Sequence, residues 1–147
     1  MDFTTRKAKG FIPAYLFALL IWIVASLPGD DLGRIQKYPD NLWFRFFLSD
    51  PFMHFMVFGL LTLFICRGYD QESRGSIPMA RVGFLAAGYG LFIEVYQGIL
   101  PWRSFGLDDL FWNTVGVLFF LFVTEVVLRL RWKQSFVRTQ IHADKRR

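Results

Sequence analysis

The sequence has a single cysteine, Cys66, and only two histidines among its 147 residues. One cysteine excludes an internal disulfide framework and a multi-cysteine zinc site, and it says nothing of the redox compartment. The chain also has no H-E-x-x-H stretch, no glycine-rich phosphate loop and no arrangement typical of the named hydrolase classes. These enzyme and nucleotide-binding classes therefore have no support in the sequence.

Charged residues are scarce in four long apolar stretches. The chain is 54% hydrophobic without counting its 12 glycines, whereas an average soluble domain is about 45–50% apolar with glycine included. Because a membrane-spanning helix needs roughly 20 mostly apolar residues, the pattern predicts an all-α polytopic membrane protein, a four-helix transmembrane bundle. We expect one domain, 1–147, with a basic cytoplasmic tail at 130–147. The predicted spans are about 11–27, 50–66, 80–100 and 108–129.

The basic residues decide the orientation of this bundle. A net charge of +5 raises the question of nucleic acid, but cytoplasmic loops near spans carry excess Lys and Arg. With the N terminus inside, 13 of the 17 Lys and Arg fall on the inner side. The sequence therefore predicts an N-in/C-in topology, contact with anionic membrane lipids and no nucleic-acid partner. The outer loop at 28–50 is rich in aromatics, which we expect at the membrane interface.

Seven polar side chains within and beside the spans fall at the predicted outer level. In hydrocarbon such groups cost several kcal/mol unless they face the bundle interior or water, so each is a functional hypothesis. Within each helix they are spaced i,i+3 or i,i+4, which places them on one face. Three helices and one loop supply the set: Asp50, His54, Glu94, Gln97, Arg103, Asp109 and Asn113. We predict one outward-facing polar pocket.

The residue types indicate roles within that pocket. The candidate catalytic residues are His54, as a general base oriented by a carboxylate, and Glu94 and Asp109, either of which is a candidate proton donor. The candidate ligand-binding residues are Asp50, Gln97, Arg103 and Asn113, and the planar fork of Arg103 suits a phosphate or carboxylate. We assign no metal site, although one histidine with two or three carboxylates also suits a divalent cation. The sequence names no cofactor and does not decide between catalysis and binding.

The same residues resemble the VanZ-like family of small bacterial integral membrane proteins. The matching pattern is an Asp before His-Phe, Glu-x-x-Gln leading to an Arg, Asp-x-x-x-Asn-x-x-Gly, and Ser-Leu-Pro at the end of the first helix. It covers about 11–128, with departures at Pro51 and Gly106. In this chain the pattern is carried by Ser26-Leu27-Pro28, Asp50, His54-Phe55, Glu94, Gln97, Arg103, Asp109, Asn113 and Gly116.

The resemblance implies a multi-pass protein of the bacterial inner (cytoplasmic) membrane. The founding member of the family is associated with resistance to the glycopeptide teicoplanin. We therefore expect the pocket to bind or act on an envelope amphiphile, such as a lipid or lipid-linked glycan head group or an amphiphilic antibiotic. The alternatives are a small transporter and a structural protein in which His54, Glu94, Arg103 and Asp109 only neutralise one another and fix helix packing. A homodimer is compatible with each.

Overall fold

The computed structural model describes residues 3–28, 47, 49–73 and 77–144. This part of the chain contains four α-helices and no β-strand. Each helix includes a stretch long and apolar enough to cross a membrane, which confirms the predicted all-α membrane fold. The helices are α1 (Phe3–Ser26), α2 (Asp50–Ser73), α3 (Met79–Ile99) and α4 (Leu107–Asp144).

Three helix boundaries differ from the predicted spans. Helix α1 begins at Phe3 rather than near residue 11, and α2 continues to Ser73 rather than ending near residue 66. Helix α4 continues through most of the predicted tail, to Asp144. The reason is that a helix does not end where its apolar run ends. Gly68, expected in a loop, lies inside α2, where the Phe11 ring occupies the space that a Cβ would need. The aromatic outer loop at 29–46 lies outside the described residues.

Helix α2 is central and packs against each of the other three helices, with its largest contact against α4. The buried core combines aliphatic side chains of α1 with residues of α2, α3 and α4, including Phe58, Val82 and Val117. The outer faces of the helices expose large apolar side chains such as Phe84 and Phe122. This arrangement suits a bundle in which lipid covers the outside and polar groups are turned inward.

Helices α2 and α4 approach each other closely at Gly116. A Cβ built on Gly116 would collide with the backbone carbonyl of Phe55, the residue that follows His54. Glycine at this position therefore allows the backbones to approach, as small residues do between membrane helices. The contact also sets how near Asn113, one turn earlier on α4, comes to His54.

We expect Gly116→Ala to lower the free energy of unfolding by about 1–3 kcal/mol, because the added methyl group overpacks a backbone contact. The matched control is Gly88→Ala, since a Cβ at Gly88 meets nothing within 4 Å. That control should be neutral or stabilising by up to about 1 kcal/mol, as alanine favours helix over glycine. Unfolding in mixed micelles titrated with an anionic detergent measures both. Equal effects of the two variants would contradict the close approach.

Candidate functional site

A buried hydrogen-bonded cluster joins α2, α3 and α4. Glu94 and Asn113 are fully buried, at 0% exposure. Asn113 Nδ2 donates a hydrogen bond to Glu94 Oε1 over 3.2 Å, and Asn113 Oδ1 lies 2.9 Å from His54 Nδ1. The backbone N–H of Gly106 donates to Glu94 Oε2 over 3.4 Å. Both oxygens of the buried carboxylate therefore accept a hydrogen bond.

The hydrogen bonds of Asn113 determine which ring nitrogen of His54 carries a hydrogen. Because the Asn113 amide nitrogen donates to the Glu94 carboxylate, its oxygen faces His54 and can only accept. His54 Nδ1 therefore carries a hydrogen, and Nε2 is left to face Asp109, with 3.6 Å between Nε2 and Oδ1. His54 Nδ1 also lies 3.9 Å from Glu94 Oε1. The histidine thus sits between two carboxylates.

Gly106 contributes to this cluster through its backbone, a role that the sequence analysis missed. The residue precedes α4, and its N–H donates a hydrogen bond to Glu94 Oε2. A Cβ at Gly106 would lie 2.6 Å from Asp109 Oδ2 and would displace that carboxylate. The departure from the VanZ-like pattern at this position is therefore compatible with the site. A glycine directly before a predicted helix was the available signal.

A cavity of about 370 Å³ lies beside the cluster, bordered by α1, α2, α3 and the loop after α3. Four of the predicted site residues line it: Asp50, His54, Gln97 and Arg103. Its other lining residues are apolar: Phe17, Leu20, Ile21, Val24, Ala25, Met53, Val57, Phe58 and Ile93. The seven predicted residues therefore divide into a buried cluster and a cavity, and His54 belongs to both.

Polar side chains at one end of the cavity donate hydrogen bonds to main-chain carbonyls at the end of α1. Arg103 Nε donates to the Leu27 carbonyl over 3.1 Å, and Gln97 Nε2 lies 3.5 Å from the Ala25 carbonyl. Trp102 Nε1 donates to the Ser26 carbonyl over 3.2 Å. The last carbonyls of a helix have no partner within the helix, so they are free to accept these bonds. Sequence reasoning missed this role of α1, because a carbonyl acceptor has no residue-type signature.

Arg103 binds a main-chain carbonyl. In a purely structural site Arg103 would neutralise Glu94 and Asp109, but among the described residues it forms no ion pair with either. Its guanidinium is bound through Nε to a neutral carbonyl. The arrangement can therefore bind an anion at Arg103 and a proton or a cation at His54 Nε2.

Comparison with known proteins identifies the family. The protein-family model VanZ/LLP1 matches residues 6–128. The chain belongs to the VanZ/LLP1 family. The resemblance seen in the sequence is thereby confirmed, and all seven candidate site residues of this VanZ/LLP1 protein lie inside the matched segment. No functionally curated protein and no solved structure matches the chain significantly.

Membership of the VanZ/LLP1 family agrees with a multi-pass membrane protein, since four helices are apolar enough to span a bilayer. It does not name a ligand. A function for this VanZ/LLP1 chain therefore has to be inferred from the chemistry of the cavity and of the buried cluster.

Proposed function

We propose that this protein binds an envelope amphiphile with an anionic head group in the cavity between α1, α2 and α3. The observation that carries the proposal is the combination, in one cavity, of a long apolar wall and a polar end. The volume of about 370 Å³ falls in the range of about 300–1,000 Å³ typical of small-molecule sites. An amphiphile presents the same combination of surfaces.

The apolar wall supports binding of a hydrocarbon chain. Leu20 and Val24 of α1 and Met53 of α2 line the cavity and are also partly exposed on the surface of the bundle. A chain entering from the bilayer would exchange contacts with lipid for contacts with these side chains. The wall therefore provides space and shape, while specificity has to come from the polar end.

The polar end supports a phosphate or carboxylate head group. Arg103 is fixed through Nε by the Leu27 carbonyl, and within the described residues its terminal amino groups have no acidic partner. A planar guanidinium binds phosphate and carboxylate with two parallel hydrogen bonds. Asp50 lines the same cavity and suits hydroxyl groups of a glycerol or sugar. A phosphorylated lipid or a lipid-linked glycan combines these features.

The predicted N-in/C-in topology would place this head group in the outer leaflet of the inner membrane. An amphiphilic glycopeptide such as teicoplanin would meet the same leaflet. Any resistance would then arise because the protein sequesters a lipid-linked target or the drug itself. The proposal does not require a chemical step.

We expect Arg103→Gln to weaken binding of anionic amphiphiles about tenfold or more. The loss of a charge-assisted bond of about 1.5–3 kcal/mol corresponds to that factor, since about 1.4 kcal/mol is tenfold. Native mass spectrometry of the purified full chain can count bound phosphatidylglycerol, polyprenyl phosphate and phosphatidylcholine. Arg129→Gln is the matched control, because Arg129 is ion-paired with Glu125 over 2.7 Å on α4, away from the cavity.

A second variant tests the apolar wall. Val24→Trp fills part of the cavity and should reduce binding of all three amphiphiles, whereas Arg103→Gln should affect only the anionic two. The proposal fails if wild type shows no preference for anionic head groups, or if Val24→Trp binds every amphiphile as wild type does. Either result would favour a polar site that only fixes helix packing.

A further inference from the structure

The cluster of His54, Glu94 and Asp109 brings three ligand atoms, one from each side chain, within 4.8 Å of one another. We propose that these residues bind one divalent transition-metal cation of the Zn²⁺ or Mn²⁺ class. Metal binding at this cluster does not depend on whether an amphiphile occupies the cavity.

The charge balance of the cluster supports a divalent cation. Glu94 is fully buried, and the side chain of Asp109 is 34% exposed. Among the described residues, the only side chain that forms an ion pair with either carboxylate is His54. Two carboxylates therefore share one histidine, which supplies at most one positive charge. Buried charges in proteins are paired or coordinate metals, and a divalent cation beside a neutral histidine makes this cluster neutral.

The hydrogen bonds orient the ligands for that cation. Since His54 Nδ1 donates to Asn113, the lone pair of a neutral His54 lies on Nε2, 3.6 Å from Asp109 Oδ1. Two lone pairs facing each other need a positive centre between them. Metal–nitrogen and metal–oxygen bonds of about 2.0–2.2 Å place two tetrahedral ligand atoms roughly 3.3–3.5 Å apart. The observed separation is close to this, and Glu94, whose ligand atom lies within 4.8 Å of the other two, would complete the set by moving inward.

The surrounding groups match the outer shell of a metal site. A metal-binding histidine usually donates its other ring N–H to a fixed acceptor, and metal-binding carboxylates are themselves hydrogen-bonded. Asn113 accepts from His54 and donates to Glu94, while Gly106 donates to the second oxygen of Glu94. One imidazole with two carboxylates selects borderline or hard divalent ions over Cu(I), which prefers sulfur ligands.

The test is metal binding by the full chain in phosphatidylcholine nanodiscs, in phosphate-free buffer, after treatment with a chelator. Titration calorimetry with Zn²⁺ should give one equivalent in wild type. Asp109→Asn should weaken binding by more than about 100-fold, and Asn113→Leu by about 10–100-fold, the range for outer-shell partners. His142→Asn, which removes the other histidine near the end of α4, should bind as wild type does.

A second measurement on the unaltered protein keeps the test independent of folding. Mn²⁺ bound to wild type labelled with ¹⁵N-histidine should show a directly coordinated nitrogen in pulsed electron paramagnetic resonance. Absence of that coupling, or Zn²⁺ binding by Asp109→Asn as tight as wild type, would overturn the proposal. A wild type that binds no metal would likewise overturn the metal proposal and would leave the amphiphile proposal untouched.

Discussion

A cysteine placed at Ser104, in a chain whose Cys66 is replaced by alanine, should react almost completely with a membrane-impermeant maleimide added to right-side-out spheroplasts. Ser104 is exposed in the loop between α3 and α4. Thirteen of the 17 Lys and Arg lie on the opposite side of the spans in the predicted orientation. Because this bias sets the orientation of membrane helices, we expect labelling to be nearly complete on one side of the membrane and absent on the other.

The matched control is a cysteine at Gln134, which is exposed on α4 beyond the span Leu107–Arg131. It should be protected in spheroplasts and labelled in inverted vesicles. Cys66 itself is buried, with 3% exposure, so the unaltered chain should give little background. If the maleimide added from outside labelled Gln134→Cys but not Ser104→Cys, the topology would be the opposite of the predicted one. The cavity would then face the cytoplasm, and an outer-leaflet head group could not be its ligand.

Replacing Asn113 with leucine should lower the free energy of unfolding by about 1–3 kcal/mol. The substitution removes the donor to Glu94 Oε1 and the acceptor for His54 Nδ1. Leaving a buried polar group without a partner costs this amount, and more if the group is charged. Unfolding in mixed micelles titrated with an anionic detergent gives the measurement.

Thr62→Val is the control for this prediction, since Thr62 is also fully buried but donates only to the carbonyl of Phe58 in its own helix. It removes no bond between helices, so we expect a smaller loss. In a Glu94→Gln background, the cost of Asn113→Leu should change by about 0.5–3 kcal/mol, because residues in one network couple. An Asn113→Leu variant no less stable than Thr62→Val would show that the network does not hold the helices together.

The sequence predicted the helices more reliably than their ends. Four apolar runs of sufficient length indicated four spans, since only such helices satisfy the backbone in hydrocarbon. Helices α1, α2 and α4 extend beyond the predicted spans because polar residues also continue a helix, as the segment from Arg67 to Ser73 does. Hydropathy detects the part of a helix that lies in lipid and not the part that extends beyond it.

By itself, the sequence determined the membrane environment and the common level of the polar residues, because depth follows from counting residues along each span. Only the tertiary structure decided how those residues divide. It turned Glu94 toward Asn113 and Gly106, and Arg103 toward a carbonyl of α1. The physical reason is that depth is set along each helix axis, whereas partners depend on rotation about that axis. That rotation is fixed by contacts between helices, such as Gly116 against the backbone of Phe55.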